Sequence, residues 1–287
     1  MNMQTAKLTP AAPAAEMPII DARRPQPRYN FPKAWHHFKE LIKDKENTAE
    51  VSPIFEALPW RGAYSSATAF LSTPRGQQIR ASEPSLVAVL DDHVALRKLP
   101  VGTLAHAYCD FMEREGLSAQ GLVDELDTYR RPDQYFDDQA SWYFDRVRDT
   151  HDLMHIVSGF GRDALGEQCV LAFTYSQQPA LAHLFLGYAG ALEIWKRGKV
   201  RVPIFRAVRE AQRMGKACPR LIEQPILELL ATPLAELRAQ LKIAGRTITI
   251  RFTPSGARWG LIPTICSRQW PRQLDPTALM TWRRRRC

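Results

Sequence analysis

A chain of 287 residues with 45% apolar side chains can bury one large core or two modest ones. Its formal charge of +9 sits almost wholly in the stretch from Gly245 to Cys287, which has nine arginines, no lysine and one acid, Asp275; the nearly neutral remainder lacks the basic face of a nucleic-acid binder and excludes that class. Cys109, Cys169, Cys218, Cys266 and Cys287 are odd in number and unpaired in spacing, so reduced thiols are expected instead of a disulfide frame. No run approaches the roughly 20 apolar residues that span a bilayer, and Met1 to Gln26 lacks the apolar stretch of a secretory signal, so a soluble or peripherally attached protein is expected.

Residues 1–28 carry Pro10, Pro13, Pro18, Pro25 and Pro27 among small side chains, which predicts a disordered arm. Structure is expected to start near Asn30, with Pro32 in a first helical turn and Trp35, Phe38, Leu41 and Ile42 on an apolar face. His36 and His37 are adjacent, point about 100° apart, and read as surface or capping residues. Short helices are predicted at Ile54–Leu58, Ser66–Leu71 and Ser85–Leu90, punctuated by Pro53, Pro59, Pro74, Pro84 and Pro100. His93 after Asp91-Asp92 reads as a helix end rather than a ligand. Thr103 to Glu115 forms a helix with Leu104, Tyr108, Phe111 and Met112 inward and His106 as its sole candidate ligand; Ser118 caps the next. Arg130-Arg131-Pro132 breaks the pattern, without a linker long enough to divide the chain into two domains.

The chain is organised around His151-Asp152-Leu153-Met154-His155, followed by Glu167. On one helix, expected from about Gln134, His151 and His155 stand on the same face at a spacing that holds one ion. Leu153, Ile156, Val157 and Phe160 form the stripe on the opposite side, which accounts for packing without the histidines. Asp152 lies between the faces, placed to bind the ion or to orient a ligand. Gly159 and Gly161 close the helix, and a second helix from about Ala164 returns Glu167 toward the pair. Two nitrogens and one or two oxygens leave coordination positions open, which suggests chemistry or substrate binding, since structural zinc sites are closed by four protein ligands. The plainer alternative is a pair of hydrogen-bonded, partly buried histidines. Arg148, one turn earlier, reads as an ion-pair partner of Asp145, Asp149 or Asp152, or as a contact for an anionic substrate group.

This motif, with the pair Gly166-Glu167, Arg146 and Arg148 ahead of it and Pro233-Leu234-Ala235-Glu236-Leu237 behind, resembles the Coq-four family of ubiquinone-biosynthesis proteins from about Tyr29 to Ile243. The resemblance implies an all-α, single-domain fold in which His151, Asp152, His155 and Glu167 hold a divalent ion, zinc first, with magnesium and iron as alternatives. It also implies binding of a polyprenyl phenolic lipid, association with other ubiquinone-synthesis proteins and a membrane surface, and oxidative decarboxylation with hydroxylation at ring carbon 1; it allows a homodimer. The location implied is the inner membrane's periphery, on the cytoplasmic side in a bacterium or the matrix side in a mitochondrion. Two other classes stay open: a non-catalytic lipid-presenting organiser, and a His-Asp phosphohydrolase drawing a further ligand from His106 or His93.

Beyond Glu167 the helix is expected to reach Phe173, and a further helix from Pro179 to Trp195 interleaves Gly187, Ala189, Gly190 and Ala191 with large apolar residues. That pattern fits close helix packing or a slot for a long apolar ligand, with His183 at its wall. Val202 to Met214 is amphipathic with Arg206, Arg209 and Arg213 on one side, suited to solvent or anionic headgroups, and Gly215 ends it. Residues 29–244 form the helical metal- and lipid-binding body. Residues 245–287 are an irregular, poorly ordered basic tail, with Thr247-Ile248-Thr249-Ile250 as a strand pattern without a partner.

Overall fold

A computed structural model describes residues 17–43, 48–128, 135–197 and 203–243. Among them are fifteen α-helices and no strand, as the all-α expectation required. The expectations for residues 1–16, for the Arg130-Arg131-Pro132 break and for residues 245–287 lie outside the described residues.

The front half is a run of short helices: α1 (Phe31–Lys43), α2 (Val51–Ala57), α3 (Ala63–Leu71), α4 (Pro74–Ser82), α5 (Leu86–Leu90), α6 (His93–Leu96), α7 (Leu104–Glu115) and α8 (Ala119–Asp127). Helix α4 was hidden in the sequence because Pro74 reads as a breaker. It is the first helical residue, where no amide hydrogen is needed, and Thr73 caps the turn by accepting from the Gly76 amide. His93 opens α6 instead of ending a helix, with Asp92 as its cap. The back half comprises α9 (Gln139–Asp149), α10 (His151–Ser158), α11 (Ala164–Gln177), α12 (Leu181–Arg197), α13 (Ile204–Ala217), α14 (Ile226–Ala231) and α15 (Leu234–Gln240). The single motif helix expected from Gln134 is thus two helices. Thr150 separates them (φ −86°, ψ 0°), and its hydroxyl donates back to the Arg146 carbonyl at 2.8 Å, drawing the chain out of the helical path.

Helix α11 is the centre, buried over almost its whole length between α10, α12 and α13. Gly215 lets α13 cross it, since a Cβ there would stand 2.3 Å from the Phe173 carbonyl oxygen; the residue lies within α13 and does not end it. Gln177 is buried with its amide fully used: it donates to the Gly215 and Cys218 carbonyls and accepts from the Leu221 amide. Against the other side of α11, Gly187 and Gly190 of α12 face Gln168, so the small residues of α12 serve helix contact. Apolar residues of α7, α10, α11 and α13 form the largest core, while α1, α2 and α12 share a second and α3, α4 and α9 a third.

One buried ion pair joins these parts. Arg146 on α9 donates to Glu83 at 2.6 Å, to the Ile222 carbonyl and to the Gln224 carbonyl, and Glu83 also accepts from the Leu227 amide. The expected disordered arm also needs correction over residues 17–28. Here the Pro18 and Ile19 carbonyls accept from the Gln139 and Ala140 amides, and Arg24 clasps Asp138 at 2.6 Å. Removing one side of a buried pair leaves the other charge uncompensated, so Arg146→Met is expected to lower unfolding stability by roughly 3–5 kcal/mol. Glu83→Gln combined with Arg146→Met should recover part of that loss in urea unfolding, because no lone charge is then buried.

Candidate metal site

The site is built on one helix end and one helix start. Gly159 closes α10 in the left-handed conformation (φ 73°), its amide bonding the His155 carbonyl; Gly161 does not share that conformation. Asp163 then caps α11 by accepting from the Leu165 and Gly166 amides, which sets Glu167 in the first turn. The result returns Glu167 to the histidines: its Oε2 is 3.6 Å from His155 Nε2, and His151, His155 and Glu167 each offer a ligand atom within 4.8 Å of the others. The rings of His151 and His155 lie edge to face with centroids 5.1 Å apart.

His155 is oriented from behind. Its Nδ1 lies 3.1 Å from the Phe160 carbonyl, which can only accept, so Nδ1 carries the proton and Nε2 presents its lone pair to the pocket. Phe111 of α7 stacks over the same ring at 5.6 Å, and Arg238 of α15 donates to the Ile156 and Val157 carbonyls at the end of α10. Burial lowers the pKa of both histidines, and His155 further disfavours charge on His151, so both are held as neutral imidazoles ready to bind a cation. The same burial lifts Glu167 to about 7. Two neutral nitrogens and one desolvated carboxylate with no hydrogen bond between them suit a divalent ion, and three protein ligands leave it open positions.

Asp152, also expected as a ligand, does not belong to that convergent group, although it is buried and its charge acts on both histidines and on Glu167. Arg148 is taken up by Asp145 and Asp149. His106 bonds the Leu99 carbonyl. A second group of potential donors, His93, Cys109 and Glu113, forms a separate set, and Glu113 is already paired with Arg97. Neither His93 nor His106 joins the motif triad, which removes the donor a His-Asp phosphohydrolase would need among the described residues. Sequence reasoning passed over Arg162, whose side chain lies beside Glu167 at 3.9 Å; the one available signal was a basic residue inside the turn between two ligand-bearing helices. His183 is held neutral, its pKa pushed down to about 3 by burial and by His151, which puts it within electrostatic reach of the site.

The raised pKa of Glu167 has a stability consequence with a definite sign. A carboxylate at about 7 in the fold and 4.5 when free makes the ion-free protein pay for burial of charge above pH 7, and not below about pH 4.5. Glu167→Gln is therefore expected to stabilise the chelator-treated protein at pH 8, by up to about 3 kcal/mol, with the gain vanishing toward pH 4.5 in urea unfolding.

A family model described as "Coenzyme Q (ubiquinone) biosynthesis protein Coq4" matches residues 51–246. Curated relatives include the mitochondrial ubiquinone biosynthesis proteins COQ4 of Podospora anserina, 32% identical over 39% of this chain and 35% of its own length, and coq4 of Talaromyces stipitatus, 30% identical over 63% and 60%. The chain thus spans about a third to three fifths of those relatives. A crystal structure from Nostoc punctiforme, described as a candidate ubiquinone biosynthesis protein, shares the fold with a TM-score of 0.51 and 22% identity, over 76% of this chain and all of that one. Since the family model spans more than half of its residues, the chain belongs to the Coq4 family of coenzyme Q biosynthesis proteins.

Proposed function

We propose that this protein acts in ubiquinone synthesis by exchanging the carboxylate at carbon 1 of a polyprenyl hydroxybenzoate-type ring for a hydroxyl, with a divalent metal ion at the His151/His155/Glu167 site. The observation that carries the proposal is the convergence of those three donors on one buried pocket in a chain of this family. A bound ion would supply a Lewis acid to polarise the ring's phenol or carboxylate. Zinc is the first choice; the same donors suit iron(II), and magnesium is the third candidate. His155 keeps Nε2 aimed inward through its bond to Phe160, and Phe111 shields the ring from water. Asp152 adds negative charge beside both imidazoles from outside the triad. A bound ion would be held by His151, His155 and Glu167, and Glu167 would serve it as the carboxylate. Exchange of the carboxylate for a hydroxyl is a two-electron oxidation: with molecular oxygen as the oxidant, the ring acid, water and oxygen would give the hydroxylated ring, carbon dioxide and hydrogen peroxide, and zinc or magnesium, which donate no electrons, would serve only to activate the ring.

An apolar groove supports the reading that the ligand carries a polyprenyl tail. Phe31, Leu58, Leu181, Leu184, Phe185, Tyr188 and Ala189 line a groove of about 320 Å³ without a charged side chain. His183 lies on the same helix as five of those residues and feels the charge of His151, which supports a ring at the triad with its tail along α12. Trp35, Trp195, Phe205, Arg206, Arg209 and Arg213 are exposed, a mixture suited to an anionic membrane surface, and no helix among the described residues is long and apolar enough to cross one. The same groove is the basis for a second reading, in which the protein only presents lipid to partner enzymes.

Metal-loaded protein incubated under air with a carboxylated polyprenyl phenol is expected to release carbon dioxide, and His155→Ala to reduce the rate at least about 100-fold. Lipid binding should survive that substitution. Ubiquinone synthesis restored in cells by a metal-free variant would instead support the lipid-presenting role.

A further inference from the structure

Arg162 sits in the turn from α10 to α11 with its side chain only 8% exposed. Its nearest acids are Glu167, 3.9 Å from Nε, and Glu115, 3.8 Å from Nη1, both beyond hydrogen-bond reach. The contrast with Arg146 is direct: there, Nε, Nη1 and Nη2 each donate at 3.0 Å or less. A guanidinium offers five N–H donors in a planar fork, and those of Arg162, mostly covered yet still touching solvent, make no hydrogen bond to the described residues and are open to an anion. With Glu167 committed to an ion, the other ion-pair partner of Arg162 among the described residues is the partly exposed Glu115, which Arg114 also holds.

We propose that Arg162 is the subsite for the carboxylate of the ring ligand, gripping it through two parallel N–H···O bonds next to the ion held by His151, His155 and Glu167. The shape of the guanidinium fits a carboxylate in that bidentate way. The location follows from Glu167, which contacts His155 with one oxygen and Arg162 with the other, so an anion seated on Arg162 lies beside the triad. The anion subsite rests on Arg162 itself; that the anion belongs to a ubiquinone precursor rests on the function proposed above.

The test is a titration of the zinc-loaded full-length protein with 3-alkyl-4-hydroxybenzoate, with the matching alkylphenol that lacks the carboxylate, and with benzoate, followed by tryptophan fluorescence. Wild type, Arg162→Met and Arg162→Lys are compared, with zinc content and melting temperature recorded for each. Wild type should prefer the carboxylated ring by about 10- to 100-fold, the worth of a charged hydrogen bond. Arg162→Met should lose that preference while keeping its affinity for the phenol, and Arg162→Lys should retain a part of it. If Arg162→Met fails to hold zinc, the lysine variant decides: a preference equal to wild type there overturns the subsite, as does an unchanged preference in the methionine variant. Equal binding of the two alkylated rings by wild type overturns the subsite and leaves the ubiquinone-ring function standing. Arg162-dependent binding of benzoate, with neither alkylated ring bound, supports the subsite and removes that function.

Discussion

The structure turns on a carboxylate taken out of water beside two imidazoles that are themselves kept neutral. Glu167 is 7% exposed and faces His155 at 3.6 Å, too far for a hydrogen bond. Burial alone would favour an apolar residue at each of these positions, since Glu167 is desolvated with its nearest guanidinium, Arg162, 3.9 Å away and beyond hydrogen-bond reach. The arrangement makes physical sense as a cage whose charge is completed by a cation, and the elements around it are placed to keep it from collapsing.

Those elements act at two distances. Close in, the Phe160 carbonyl and the Phe111 ring fix His155, while Asp163 and the left-handed Gly159 fix the turn that presents Glu167. Further out, α13 crosses α11 at Gly215, and the Gln177 amide binds the end of α11 to the chain beyond α13. The Arg146–Glu83 pair then joins α9, just ahead of the motif, to α4 and to the segment before α14. A site whose candidate ligands come from two helices joined by a tight turn is thereby held on rigid elements, which is the condition for keeping coordination positions open instead of filled by a shifting side chain.

Much of this was legible in the residue order, because it follows from periodicity and local chemistry. The four-residue spacing of His151 and His155, the opposite stripe of Leu153, Ile156 and Val157, the stop at Gly159 and the return of Glu167 are all near-neighbour relations. What was not legible depended on distant contacts or on competing local signals. Pro74 looks like a breaker until its position at a helix start is known, and Thr150 looks helical until its hydroxyl turns back on Arg146. Gly215 looks like a helix end until Phe173 is found against it. The arm from Met17 to Arg28 has the composition of a disordered segment, yet Arg24 meets Asp138, more than a hundred residues away. Asp152 is adjacent in sequence to a candidate ligand and still stands outside the convergent group, because neighbouring helical residues point about 100° apart.

The central claim, that His151, His155 and Glu167 form one cation site, is tested most directly by X-ray absorption at the zinc edge of the loaded protein. One zinc per chain is expected, with two imidazole nitrogens and oxygen ligands and no sulfur; a sulfur ligand, or an unchanged spectrum after His151 and His155 are both replaced by alanine, would contradict it.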